Sequence, residues 1–213
     1  MLKMAPILLI GLAFFSCSRS EPRIAFGYIA LVYYEEEGGA EERFSFFVLA
    51  EDDDGLANLS ELFLYHDHEQ LRWRIGSEDW TVHESAGRTW IGTRAIAPGE
   101  IGLLPRGQFR AVLVNLGGER TERLFSFDAP TAPRFAFPAL QIADGNFSIE
   151  SAYPTNSFVC YDEQGNFVGV VELSALSGSI SSLNLPNGAR LVALWAEDSL
   201  HYTSAFTNAQ SIR

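Results

Sequence analysis

The sequence predicts an all-β protein made of two layered sandwiches in tandem. Three observations carry this. No long window repeats its apolar residues at helical spacing. Short runs rich in β-branched and aromatic residues recur along the chain, separated by Gly, Asn, Asp and Pro. A Pro-Gly corner pattern followed by an apolar run occurs twice, once in each half. Composition agrees: 47% hydrophobic and 20% charged residues suit a folded domain and are too apolar for a disordered one. With 15 basic against 27 acidic residues and a net charge of -12, the surface repels nucleic acid and anionic lipid, so no nucleic-acid partner is expected.

The first element is a leader. Lys3 precedes an apolar run from Ala5 to Phe15, the charged and greasy parts of an export signal. The run holds about 11 apolar residues where a transmembrane helix needs roughly 20, and Ser18-Arg19-Ser20-Glu21 follows at once. The segment ending in Phe14-Phe15-Ser16-Cys17 resembles the lipobox of bacterial lipoproteins, in the looser form found in spirochaetes. That resemblance implies a signal peptide at residues 1–16, lipidation of Cys17 as the new first residue, and a tether at 17–22. Membrane lipid is then a partner through acyl chains, each buried methylene contributing about 0.8 kcal/mol. Ser18, where Asp marks retention, implies an outer-membrane lipoprotein facing either the periplasm or the exterior. An ordinary secretory leader with an incidental Cys is the alternative reading. Removing the leader also removes Lys3, the only lysine, and makes the body one charge more negative.

The first body segment, residues 23–128, offers strand-like runs at 24–34, 43–50, 61–66, 71–75, 80–84, 89–93, 108–114 and 120–127. Asn115-Leu116-Gly117-Gly118 supplies the glycines of a tight hairpin. The stretch from Glu35 to Glu42, with Gly38-Gly39 inside it, reads as a turn whose five glutamates are solvated. Asp128-Ala129-Pro130-Thr131-Ala132-Pro133 reads as a semi-rigid connector, placing a linker at 129–134 and a smaller second sandwich at 135–213. Its runs are 146–152, 157–161, 167–173, 179–183, 190–195 and 201–206, with turns at 162–166 and 186–188. If Cys17 is acylated, Cys160 has no partner within the chain; inside a strand-like run it reads as a packed thiol.

Leu104-Pro105-Arg106-Gly107 with Phe109 and the run 111–114 is echoed by Leu185-Pro186-Asn187-Gly188 and the run 191–195. Proline fixes one torsion, glycine permits the reversal, and a strand dives under the opposite sheet. The pattern resembles the corner before the penultimate strand of bacterial immunoglobulin-like and fibronectin-type domains. Phe109 stands where that family has a tyrosine, and Arg190 in the second copy. The resemblance implies fold and says nothing of function.

Several residues invite a functional reading. Glu51-Asp52-Asp53-Asp54-Gly55 resembles the start of a calcium loop, with Asp52 and Asp54 as ligands. Leu62 stands where the later acidic ligand belongs, so a solvated turn is the rival and no cofactor other than calcium is in view. His66 and His68 alternate, which in a strand aims both rings to one side, and with His83 they would make the zinc centre of a metal-assisted envelope hydrolase. Alternation through Leu71-Arg72-Trp73-Arg74-Ile75 turns Trp73 to the core and Arg72 and Arg74 outward. Trp80 and Trp90 lie among polar neighbours and could form a stacking platform for a sugar or a partner's apolar side chains. No nucleophile, phosphate or dinucleotide motif occurs. The expectation is therefore a lipid-anchored envelope protein that binds or scaffolds without catalysis, its partner an envelope or host protein or a glycan; the metal-assisted hydrolase is the alternative.

Overall fold

The computed structural model describes residues 20–37, 39–85, 87–98 and 104–212. The leader and Cys17 lie outside the described residues. Within them the fold is all-β apart from short 3-10 turns.

Strands β1 (Arg23–Glu36), β2 (Gly39–Glu51), β5 (Thr81–Ser85) and β6 (Arg88–Ile96) lie side by side in the order β1-β2-β6-β5. Facing them is a four-stranded sheet of β3 (Leu59–His66), β4 (Leu71–Gly76), β7 (Gly107–Asn115) and β8 (Arg120–Phe127), ordered β4-β3-β7-β8. Alternation explains the core between them. Phe44 on β2 is fully buried, with its ring centroid 5.4 Å from Phe109, 4.9 Å from Phe127 and 6.3 Å from Trp73. Each such side chain contributes about 1.5–3 kcal/mol by leaving water. Near its start β1 breaks step: a register shift between Ile24 and Phe26 leaves Ala25 as a bulge, which lets Ile24 point inward together with Ile29 and Leu31. Arg123 of β8 donates to the Ile24 and Ala25 carbonyls that this irregularity frees.

After residues 128–138, which carry no strand, come β9 (Ala139–Ala143), β10 (Asn146–Glu150), β11 (Thr155–Tyr161), β12 (Phe167–Glu172), β13 (Ser177–Ser179), β14 (Leu191–Asp198), β15 (Thr203–Phe206) and β16 (Gln210–Ser211). A three-stranded sheet runs β13-β10-β9. The other strands extend the first layer. β15 pairs in parallel with β1, Leu31 beside Thr203 and Tyr34 beside Phe206, giving one nine-stranded sheet in the order β12-β11-β14-β15-β1-β2-β6-β5, with β16 on β14. Buried apolar residues from both sides of the connector form one cluster, from Ile24 and Phe44 to Phe158, Leu194 and Ala205.

Both corner glycines take conformations closed to other residues, Gly107 at φ +107° and Gly188 at φ +89°. Phe109 is fully buried and closes the aromatic core. Three runs are shorter than expected by two residues or more, and that at 146–152 stops at Glu150. In 179–183 the strand ends at Ser179, because Ile180 turns its side chain inward and its carbonyl accepts from Leu183 N, making a 3-10 turn. In 201–206 the strand starts at Thr203, after Tyr202 enters the left-handed region at φ +53°. Glu42 is a further correction: it is buried, 9% exposed, rather than solvated.

Candidate functional site: the outer face of the long sheet

The residues singled out from sequence fall at five separate places. Asp52 organises a turn. Its Oδ1 accepts from Asp54 N at 2.9 Å and Asn58 Nδ2 at 3.0 Å, and its Oδ2 faces Asn115 Nδ2 at 3.5 Å; Asp54 is exposed beside it. His66 is buried, with Nε2 3.0 Å from the Arg106 carbonyl and Nδ1 accepting from Glu69 N at 3.3 Å, so both ring nitrogens are engaged as in a neutral imidazole. His68 is exposed and contacts Glu69. His83 is on β5 of the other sheet, opposite Trp90, so the structure does not bring the three histidines together. Among the described residues no group of three or more His, Cys, Asp or Glu side chains is placed to hold a metal.

Arg72 and Arg74 point outward from β4 and line a cavity of about 510 Å³ with Trp73, Thr93 and Ala97. Arg74 is paired with Glu61 at 2.6 Å, and Arg72 lies 6.0 Å from the Phe63 ring centroid. Trp73 packs on the core and donates Nε1–H to the Ala97 carbonyl at 3.0 Å. The two remaining indoles do not form one platform. Thr81 pairs with Gly92 and His83 with Trp90, so Trp80 falls on the opposite face of the sheet from Trp90 and packs against the core.

Trp90 stands on the outward face of the nine-stranded sheet, and that face carries a chain of aromatic side chains. Its ring centroid is 6.0 Å from Phe26 and 5.8 Å from Tyr28. Tyr28 stacks on Phe47 at 5.9 Å, and the Arg94 guanidinium lies 5.3 Å from the Phe47 ring centroid. Beyond β1 the face continues through Tyr34, Phe206 and Trp195, each 5.7 Å from the next. Phe26 remains 54% exposed and Tyr28 37%, whereas Val32, Phe47 and Leu49 beneath them are buried. The sheet thus carries apolar side chains on both faces. Burial raises the Tyr28 phenol above its ordinary value, opposed by Arg94 and the Ser45 hydrogen bond and reinforced by Glu197. Tyr34 and Tyr161 are raised by burial too, and both sense Arg94. Three phenols and one guanidinium therefore share this surface.

Sequence reasoning reached Trp90 alone of this group. The missed signal was the lack of alternation: 29–34 and 44–50 are apolar at nearly every position, the mark of strands covered on both faces.

No family model matches the chain, and no curated protein matches it. Solved structures similar to it include dimeric latent PorU from Porphyromonas gingivalis, 14% identical with a TM-score of 0.34 over 90% of this chain; the chain spans 20% of that one. Tandem Ig repeats of Dlar are 15% identical with a TM-score of 0.35, covering 89% of this chain and 99% of theirs. Dpr11 IG1 bound to DIP-gamma IG+IG2 is 12% identical with a TM-score of 0.26, covering 89% and 100%. These likenesses are loose; the all-β layered architecture stands on the strand register and the buried core.

Proposed function

We propose that this chain is a lipid-anchored binding or scaffolding protein of a bacterial cell envelope, held to the outer membrane by acyl chains on Cys17. In this reading residues 17–22 are a tether and 23–128 and 135–213 are two immunoglobulin-like units, the organisation of a spirochaete-like envelope lipoprotein. No catalytic role is assigned. The observation that carries the binding role is the outer face: Trp90, Trp195, Tyr28, Tyr34 and Arg94 are the residue types that dominate interface energetics, gathered on one open sheet surface. The leader supports the address.

Two experiments test the reading. Mass spectrometry of the N-terminal peptide is expected to show acyl chains on Cys17, and Cys17→Ala to release the protein into the aqueous phase; an unmodified Cys17 removes the anchor. A photo-crosslinking residue at Phe26, beside Trp90, is expected to give adducts in intact cells. The same residue at Leu116, 71% exposed on the β7–β8 turn, is expected to give none. Equal labelling at both, or none at either, rejects the face as the binding surface.

A further inference from the structure

The two sheets leave a slot along one side of the sandwich. β4 ends the four-stranded sheet, and among the described residues no strand pairs with its far side. The other end of that sheet, β8, lies against the start of β1, where Arg123 donates to the Ile24 and Ala25 carbonyls. Across the slot from β4 is the end of β6. β5 stops at Thr81, level with Gly92, so residues 93–96 of β6 have no strand on that side. The cavity of about 510 Å³ lies between these two edges, walled by Trp73, Thr93, Ala95 and Ile96, and its size falls within the roughly 300–1,000 Å³ of binding clefts.

The ladder fixes which main-chain groups look into the slot. Ser77 N donates to the Ser60 carbonyl at 3.0 Å, and an antiparallel pair of strands alternates bonded with non-bonded pairs. Ile75 with Leu62, Trp73 with Leu64 and Leu71 with His66 are therefore the bonded pairs, and the N–H and C=O groups of Arg72, Arg74 and Gly76 point away from β3. Gly76 agrees with this phase: its carbonyl accepts from Asp79 N at 3.0 Å and Trp80 N at 3.2 Å, which closes that end of the edge. No such bond covers the main-chain groups of Arg72 and Arg74 among the described residues, and both residues are exposed. β4 is also regular. Its six pairs with β3 run without a register shift, whereas β12, an edge of the long sheet, is broken by one between Cys160 and Tyr161.

We propose that β4 takes up an extended segment of a partner protein as a fifth strand of its sheet, with an acidic residue of that segment opposite Arg72. The segment's main chain bonds the free N–H and C=O groups of Arg72 and Arg74, while its side chains alternate between the two faces. The residue opposite Arg72 shares the outward face. There Arg72 has the Phe63 ring at 6.0 Å and no ion pair among the described residues, so an Asp or Glu completes it. Arg74 is already matched by Glu61 at 2.6 Å and Glu78 at 3.6 Å. Asp79 stands at the closed end, beside Gly76, about 14 Å along the strand from Arg72 and beyond the screening length of about 8 Å at physiological salt. The residues flanking the acid turn inward, into the cavity beside Trp73, and are apolar. A second copy of β4 is a poor fifth strand, because antiparallel pairing centred on Arg72, Trp73 or Arg74 sets arginine against arginine.

The test uses the full protein in detergent and a fluorescent seven-residue peptide in which valine alternates with threonine and the central polar residue is glutamate. Anisotropy is expected to show saturable binding below about 1 mM. Arg72→Glu should weaken it about tenfold and favour instead the same peptide with lysine at the centre. Arg120→Glu, the same change of charge on β8, should leave both peptides as they were. Melting temperatures close to the parent establish that the variants fold. A peptide N-methylated at its polar residues, whose N–H groups face β4, should not bind, and the unmodified peptide should slow hydrogen exchange at the Arg72 and Arg74 amides. No saturation up to about 1 mM, equal binding of the N-methylated peptide, or slowed exchange on another edge strand with none at Arg72 and Arg74 overturns the fifth strand. None of these outcomes bears on the outer face of the long sheet, which crosslinking at Phe26 tests separately.

Discussion

The Arg106 guanidinium lies 3.1 Å from the Glu42 carboxylate, joining the Pro-Gly corner to β2. The same guanidinium donates to the carbonyls of Leu104 at 2.7 Å, Ala129 at 3.0 Å and Pro130 at 2.9 Å. One side chain therefore fixes the corner, the central sheet and the first residues of the connector. Tyr33 donates to Glu42 at 3.4 Å, and burial first, then the nearby carboxylate, push its phenol well above the ordinary value. All charged-group hydrogen bonds here are sheltered: the Arg106 side chain is 16% exposed and that of Glu42 9%.

Removing one partner of a sheltered pair strands the other, at a cost of about 3–5 kcal/mol when burial is complete. Arg106→Met is expected to cost the more, because three carbonyls lose their donor along with Glu42. Glu42→Gln keeps an acceptor for Arg106 and should cost clearly less. Urea unfolding of both variants checks the order. Limited proteolysis should also show faster cleavage within residues 128–134 in Arg106→Met, and unchanged cleavage would mean that the connector is held by something else.

Gly92 sits where no side chain fits. A Cβ there would fall inside the van der Waals shell of the Phe46 carbonyl oxygen and 2.7 Å from Phe47 Cα, both main-chain atoms that cannot swing aside. Gly92→Ala is expected to destabilise by about 3 kcal/mol or more. Gly39→Ala, with no atom within 4 Å, should stay within about 0.5 kcal/mol. Equal midpoints in denaturant for the two variants would contradict the close β2–β6 approach.

The strands were legible because each of their patterns is local. The hairpin at Asn115–Gly118 closes as its glycines suggest, with Gly118 N bonded to the Asn115 carbonyl at 3.0 Å, and the corner glycines take positive φ. β9 was not legible, since Ala139–Ala143 directly follows the proline-rich segment and has few β-branched residues. The parallel pairing of β1 with β15 joins residues some 170 positions apart, and nothing local encodes it. Glu42 looked solvated because its partner Arg106 is distant in sequence. Trp80 and Trp90 looked equivalent because their faces are set by hairpin register, which composition does not reveal.

Cys160 is fully buried on β11, with Sγ 3.8 Å from the Phe158 carbonyl, and burial raises its thiol above the ordinary value. The reactive thiolate is therefore scarce as well as covered. A thiol-reactive dye is expected to leave Cys160 untouched in the native protein and to label it fully in denaturant, so that its labelling rate reports opening of the sheet. Fast labelling without denaturant would place Cys160 at the surface.

Asp162 gives the turn between β11 and β12 an acid dependence. Its Oδ1 accepts from Gln164 N at 2.9 Å and Asn166 N at 2.8 Å, and its Oδ2 from Asn166 Nδ2 at 2.9 Å. The Asn166 side-chain bond above all, then the backbone donors, hold the carboxyl below its ordinary value, because each donor favours the ionised form. A carboxyl whose folded pKa is depressed stabilises the fold above its unfolded value of about 3.9, and that contribution is lost as pH falls through the folded value. Carboxyl NMR titration should place the Asp162 midpoint below about 3.9, and Asp162→Asn should flatten the fall of melting temperature in the same acid range. A midpoint at or above the ordinary value would mean that Asn166 and Gln164 do not hold the ionised carboxylate in solution.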